Sequence, residues 1–260
     1  MITLNNIHLT FAPTTVREKK ALVDLSLQIN EGDFITVIGS NGAGKSTLLN
    51  TISGEYIPDA GSILIDEEEM TKLPAQQRAH VVARVFQDPL AGTCGELTIA
   101  ENLALADRRG FRRGLGRALN SKNKGYYKDL LRHLNLGLEN RLDTSMSLLS
   151  GGQRQAVSLL MATMSPLKIL LLDEHTSALD PKTAVFVMDL TQQVITEKNL
   201  TALMVTHSLQ QALHYGNRTI MLHEGKVIYD ISGPAREKMT IEEVMQLFSN
   251  KLDDDRLILT

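Results

Sequence analysis

The sequence predicts an α/β fold, with a parallel-sheet core, an antiparallel β part toward the N-terminus and an inserted α-helical region. Three observations carry that expectation. The stretch Gly39-Ser40-Asn41-Gly42-Ala43-Gly44-Lys45-Ser46-Thr47 fits G-x-x-x-x-G-K-[ST] at every fixed position. Lys168-Ile169-Leu170-Leu171-Leu172-Asp173-Glu174 is a short apolar run ending in two acids, which suits a parallel strand buried on both faces. Between them, from about Ala91 to Ser158, helical patterns replace the strand rhythm.

Taken in order, Ile7, Leu9 and Phe11, then Val23, Leu25, Leu27 and Ile29, alternate as antiparallel strands do. Glu31-Gly32-Asp33 is a turn, and Phe34–Ile38 is a buried strand that enters the glycine-rich loop. Leu48, Leu49 and Ile52 follow at helical spacing, completing a strand–loop–helix unit. Asp59-Ala60-Gly61 opens a short strand, Ser62–Ile65, and Val81–Phe86 is another candidate. After Ser165-Pro166 the alternation returns: strand Lys168–Leu172, helix Pro181–Thr196 with Pro181 in its first turn, strand Leu200–Thr206 and helix Leu209–Tyr215. Arg218–His223 and Lys226–Asp230 flank the turn His223-Glu224-Gly225 as a hairpin does. Thr240 with Glu243 forms a capping box for a last helix, Ile241–Ser249. The expected division is a core of 1–90 and 159–235, a helical insertion of 91–158 and a C-terminal helical extension of 236–260.

Composition narrows the function. Apolar residues make up 43% of the 260, enough for a large core. A net charge of −3 gives no global attraction to nucleic acid. Cys94 is the one cysteine, which excludes an intramolecular disulfide and fits a reducing cytoplasm. Met1-Ile2-Thr3-Leu4-Asn5-Asn6 lacks the features of a signal peptide, and nowhere do about 18 apolar residues run together. Any membrane role is therefore expected to run through partners. The stretch Asp107–Lys124 sets seven basic residues (Arg108, Arg109, Arg112, Arg113, Arg117, Lys122, Lys124) against one acid. It reads either as a solvated surface or as a contact surface for a partner or for membrane headgroups. With Phe111 its one aromatic residue, it does not resemble a stacking platform for nucleic acid.

The candidate site is built for a polyphosphate. Glycines allow backbone N–H groups to turn inward without Cβ clashes, and the following helix points its positive end at the same anion. Lys45 is expected to reach the β- and γ-phosphates of ATP, and Ser46 to ligate Mg²⁺. Asp173 stands where open α/β sheets bind ligands and is expected to order Mg²⁺ directly or through water. Glu174 is then placed to orient or deprotonate the attacking water. A third segment, Leu149-Ser150-Gly151-Gly152-Gln153, opens the helical pattern Gln155, Ala156, Leu159, Leu160. It reads as a capped helix start or as a second anion site, reached by ATP held on a second copy of the chain.

In order, Gly39–Thr47, Gln87, Leu149–Gln153, Leu170–Glu174, Ser177-Ala178-Leu179-Asp180 and His207 resemble the ATP-binding cassette (ABC) family over about residues 2–235. The resemblance implies a P-loop NTPase, RecA-like core with an antiparallel β subdomain and a helical subdomain. It implies head-to-tail dimers that sandwich two ATP molecules, with Ser150, Gly151, Gly152 and Gln153 facing the partner's nucleotide. By that resemblance Gln87 links Mg²⁺ and water to a transmembrane partner, His207 touches the γ-phosphate and Asp180 belongs to a loop contacting the other subunit. Phe11 resembles the aromatic that stacks on adenine, although it also continues the alternation of Ile7 and Leu9; Val16 nearby lacks a ring.

Two features depart from the family pattern: His175 stands where proline is frequent, and helix Gln155–Met164 lacks the usual arginine-bearing pattern. With Asp88-Pro89-Leu90-Ala91-Gly92-Thr93, they are similar to a bacterial branch of lipoprotein-dependent importers, some for aromatic amino acids. The implied function is the ATPase subunit of a bacterial importer for a small solute such as an amino acid. It would sit at the cytoplasmic face of the membrane, with a separate permease, a substrate-binding lipoprotein and no nucleic acid. An exporter subunit and a soluble ABC ATPase outside transport are the alternatives.

Overall fold

The computed structural model describes residues 1–110 and 118–249. In chain order the elements begin with β1 (Ile2–Phe11), β2 (Lys19–Ile29), β3 (Phe34–Gly39), α1 (Lys45–Ser53), β4 (Ala60–Ile65), β5 (Glu68–Glu69) and α2 (Ala75–Arg78). Then follow β6 (Val82–Val85), α3 (Ile99–Ala106), α4 (Ser121–Arg132), α5 (Gly151–Ala162), β7 (Ile169–Asp173) and α6 (Pro181–Glu197). The last are β8 (Ala202–Val205), α7 (Leu209–His214), β9 (Arg218–His223), β10 (Lys226–Ser232), α8 (Gly233–Glu237) and α9 (Ile241–Ser249). They fall into two compact units, one of Met1–Arg78 with Asn199–Thr260, the other of Ala79–Lys198.

The first unit holds an antiparallel sheet in the order β2-β1-β4-β5 and a run of strands in the order β10-β9-β3-β8. β3 is parallel to both β8 and β9, and every residue of it is buried, with the Thr36 hydroxyl bonded to the Ala212 carbonyl and to Thr219. The β2 alternation is out of phase with the expectation at one end: Leu22, not Val23, fills the core. The cause is a register shift in β1–β2, where Asn6 and Asp24 both take positive φ and the Asn6 amide donates to the Asp24 carboxylate at 2.7 Å. The capping box at Thr240 and Glu243 is present and starts α9. Val244 of that helix joins Ile38, Ala212 and Met221 in a cluster of buried side chains.

The second unit pairs β6 with β7 in parallel, and its remaining named elements among the described residues are helices. Thr98 and Glu101 make a reciprocal capping box at α3. Of the basic stretch, Lys124 pairs with Asp143 at 2.7 Å, while Arg112, Arg113 and Arg117 lie outside the described residues. No helix among the described residues is long and apolar enough to cross a membrane.

Candidate functional site

The first unit carries the glycine-rich loop between β3 and α1. Gly39 has no room for a side chain, because a Cβ there would lie 2.3 Å from the Leu222 carbonyl oxygen. Gly44, at φ 106°, caps α1 without any side-chain hydrogen bond, and a Cβ on it would lie 2.7 Å from the Ala21 oxygen. The helix therefore starts with its first N–H groups unclaimed by a capping side chain, an anion-binding arrangement. Lys45 is 5% exposed, and its Nζ donates to the Gly39 and Ser40 carbonyls at 2.7 and 3.1 Å. Ser46 is exposed at the same helix start.

The far end of α1 is gripped by Arg78, a residue the sequence reading passed over. Its guanidinium is fully buried and donates to the carbonyls of Thr51, Ile52, Thr71 and Leu73. Burial lowers its pKa to about 10, which leaves it charged at neutral pH.

His207 emerges beside this loop. β3 and β8 pair in parallel with Val37 opposite Val205, so Gly39 and His207 follow two residues later on the same edge. Phe11 ends β1 opposite Lys19; it is 36% exposed and meets Tyr56 edge to face, with centroids 5.2 Å apart. It is not core, so the alternation that includes Ile7 and Leu9 stops short of it. Val16 is fully exposed.

The second unit carries the acids. Asp173 closes β7, and its Oδ2 accepts from Arg84 Nη2 at 2.5 Å. Glu174 follows at φ 46°, in the left-handed region, and its carbonyl accepts from both the amide and the hydroxyl of Ser177. His175, at the departure from proline, is buried; its Nε2 lies 3.0 Å from Thr191 Oγ1, which itself donates to the Val187 carbonyl. With that hydroxyl proton committed, the imidazole donates through Nε2. Burial pushes the His175 pKa down to about 4, so the ring is neutral.

Gln87 is exposed just past β6. The carbonyl before it, on Phe86, accepts from the buried Gln155 amide at 3.0 Å. Downstream, the fully buried Asn102 accepts from the Cys94 amide and donates to the carbonyls of Cys94, Leu97 and Thr98. That one side chain ties the segment around exposed Cys94 to α3.

Ser150 is the N-cap of α5: its Oγ accepts from the Gln153 amide, and Gln153 Oε1 accepts from the Ser150 amide, both at 3.2 Å. Arg154 donates to the carbonyls of Met146, Ser147 and Leu149 and fixes the approach to the turn. Gly152 faces α6, where a Cβ would fall 2.2 Å from Thr183 Cγ2. Asp180 caps α6 through the Thr183 amide at 3.1 Å, and hydrogen bonds from Thr183 hold its carboxyl below the usual range. Ser150, Gly151 and Asp180 remain exposed.

Residues 22–177 match the model of the ABC transporter family. The chain is 44% identical over 248 residues to a tyrosine transport ATP-binding protein of Clostridioides difficile, covering 95% of this chain and 98% of the relative. This chain belongs to the ABC transporter family. A thiamine import ATP-binding protein of Yersinia pseudotuberculosis is 37% identical, over 81% of this chain and 83% of its own. Among solved structures, a dimeric ATP-binding cassette in a post-hydrolysis state with ADP and Pi matches with a TM-score of 0.75 at 29% identity, covering 89% of this chain and 98% of that one. A nucleotide-free cassette matches with a TM-score of 0.76 at 25% identity over 99% and 97% of the two chains.

This ABC ATPase thus divides its motifs between two units, with the phosphate loop, Phe11 and His207 in the first. Gln87, Asp173, Glu174, the Ser150 turn and Asp180 lie in the second. The supports missed in the sequence are Arg78, Arg84, Asn102 and Arg154. Each is a lone polar residue whose partners are mostly backbone carbonyls or a distant acid, and no spacing rule announces such partners.

Proposed function

We propose that this chain is the ATP-hydrolysing subunit of an importer for a small solute, an amino acid by the strongest of the reported likenesses. It works as a head-to-tail pair at the cytoplasmic face of the membrane, bound to a separate permease, with a substrate-binding lipoprotein in the same system. The observation that carries the reading is the uncapped start of α1 with a buried lysine beneath it. The loop amides and Lys45 bind the β- and γ-phosphates; Lys45 exchanges its bonds to Gly39 and Ser40 for phosphate oxygens. Phe11 offers its free face to adenine.

The exposed Ser46 hydroxyl and the Asp173 carboxylate are hard oxygen donors of the kind Mg²⁺ takes, and Gln87 is an exposed amide that fits the same role. When bound, Mg²⁺ neutralises charge developing on the phosphates. Glu174 takes a proton from the attacking water, and His207 donates to the γ-phosphate. The Ser177 bonds to the Glu174 carbonyl fix the backbone that aims this carboxylate. Ser150, Gly151, Gly152, Gln153 and Asp180 face the nucleotide of the other copy. Gln87 and the segment after it couple the site to the permease.

Glu174→Gln tests the chemistry. It should retain ATP binding and lose about 10²–10⁴-fold in turnover. Near-wild-type phosphate release from the purified variant would overturn the assignment. Cross-linking from Cys94 in intact cells tests the transport reading. It should capture an integral membrane protein, whereas capture of ribosomes, DNA or soluble proteins alone would favour a soluble ATPase.

A further inference from the structure

We propose that Arg84 sets the Mg²⁺ requirement of the nucleotide site by holding the carboxylate of Asp173. The inference rests on the reading of Asp173 as the Mg²⁺-ordering acid. β6 and β7 run parallel with Arg84 opposite Leu171, so the arginine side chain has only to reach forward along the sheet to meet Asp173. It does so with Nη2 at 2.5 Å from Oδ2, and both side chains are nearly enclosed, at 13% and 14% exposure. The guanidinium carbon also lies over the Phe86 ring, 4.8 Å from its centre.

A charge-assisted bond in such surroundings is strong, because little water screens it. It has two consequences. A carboxylate that already shares its charge with a guanidinium is a poorer partner for a second cation. A divalent ion approaching the other oxygen also meets the repulsion of the guanidinium across a short distance. Free Mg²⁺ is therefore held weakly at Asp173 alone. The polyphosphate must supply the missing negative charge, and metal entry becomes contingent on ATP. Arg84 acts through Asp173 and is a positioning residue.

Binding of Mn²⁺, read by electron paramagnetic resonance with a non-hydrolysable ATP analogue, tests this without turnover. Arg84→Gln keeps an N–H donor for Asp173 and removes the charge. It should lower the half-saturating Mn²⁺ concentration on the order of tenfold, while Arg84→Lys stays near the parent value. Binding of the analogue in EDTA should not change. In an Asp173→Asn background, which should itself raise the Mn²⁺ requirement, Arg84→Gln should have no further effect. An unchanged or raised requirement in Arg84→Gln, with Asp173→Asn behaving as expected, overturns the proposal and leaves the reading of Asp173 intact. If Asp173→Asn leaves Mn²⁺ binding untouched, that reading fails and the proposal with it. Loss of the native circular dichroism of Arg84→Gln would make the pair a stability element and overturn the proposal as well.

Discussion

Two glycine-rich turns in this chain each open a helix, and they finish it in opposite ways. At α1, Gly44 takes φ 106° and no side chain caps the helix. At α5, Ser150 and Gln153 close the same kind of end with a reciprocal pair of bonds. The first helix start lacks a side-chain cap and tucks Lys45 beneath the loop, an arrangement suited to an anion. The second is already complete within its own unit. Ser150 and Gly151 stay exposed around it. Similar sequence chemistry thus leaves one helix start open and closes the other; in the function proposed above, the first receives phosphate and the second meets the partner copy.

The largest effect that can break this contrast is at the contact face. Ser150→Arg with Gly151→Asp, placed in a Glu174→Gln background, should abolish ATP-dependent dimerisation while ATP still binds at Lys45. A dimer persisting in size-exclusion chromatography would show that the Ser150 turn faces nothing. Next in size is Lys45→Ala, which removes a charge-assisted bond worth about 1.5–3 kcal/mol and should weaken ATP about 10–100-fold by calorimetry. Equal affinity would mean that the lysine serves only its own loop.

Gly152→Ala comes third. Its Cβ would fall 2.2 Å from Thr183 Cγ2, so overpacking of about 1–3 kcal/mol is expected in urea unfolding, relieved by adding Thr183→Ser. The smallest effect is Ser150→Ala. Loss of the cap should cost about 1 kcal/mol of stability and leave nucleotide affinity of the monomer unchanged. A matching loss of affinity would mean that the Ser150 cap also serves nucleotide binding within one copy.

Much of this was legible in advance, for physical reasons that differ by residue. The phosphate loop was legible because positive φ and close backbone approach leave only glycine at Gly39 and Gly44. Asp173 was legible as the end of a strand, because the continuous apolar run stops there, and it does close β7. Leu22 was not legible, since a bulge inserts a phase shift that alternation cannot signal. His175 showed only as a departure from a family habit. Its bond to Thr191, sixteen residues on, depends on how β7 and α6 meet, which no local pattern encodes. Arg84 was hidden inside a strand prediction that had no reason to ask where a charged side chain goes.

Arg78 gives α1 a mechanical character. One planar cation holds two carbonyls at the end of the helix and two more from the loop leading to α2. A lysine ammonium could not span all four, so even Arg78→Lys would let the last turn loosen. Fraying normally begins at helix ends, and here that route is bolted shut. The anchored end makes α1 behave more as one stiff rod than as a row of independent turns. Amides of Thr51 to Ser53 should accordingly exchange with deuterated water only when the surrounding packing opens with them.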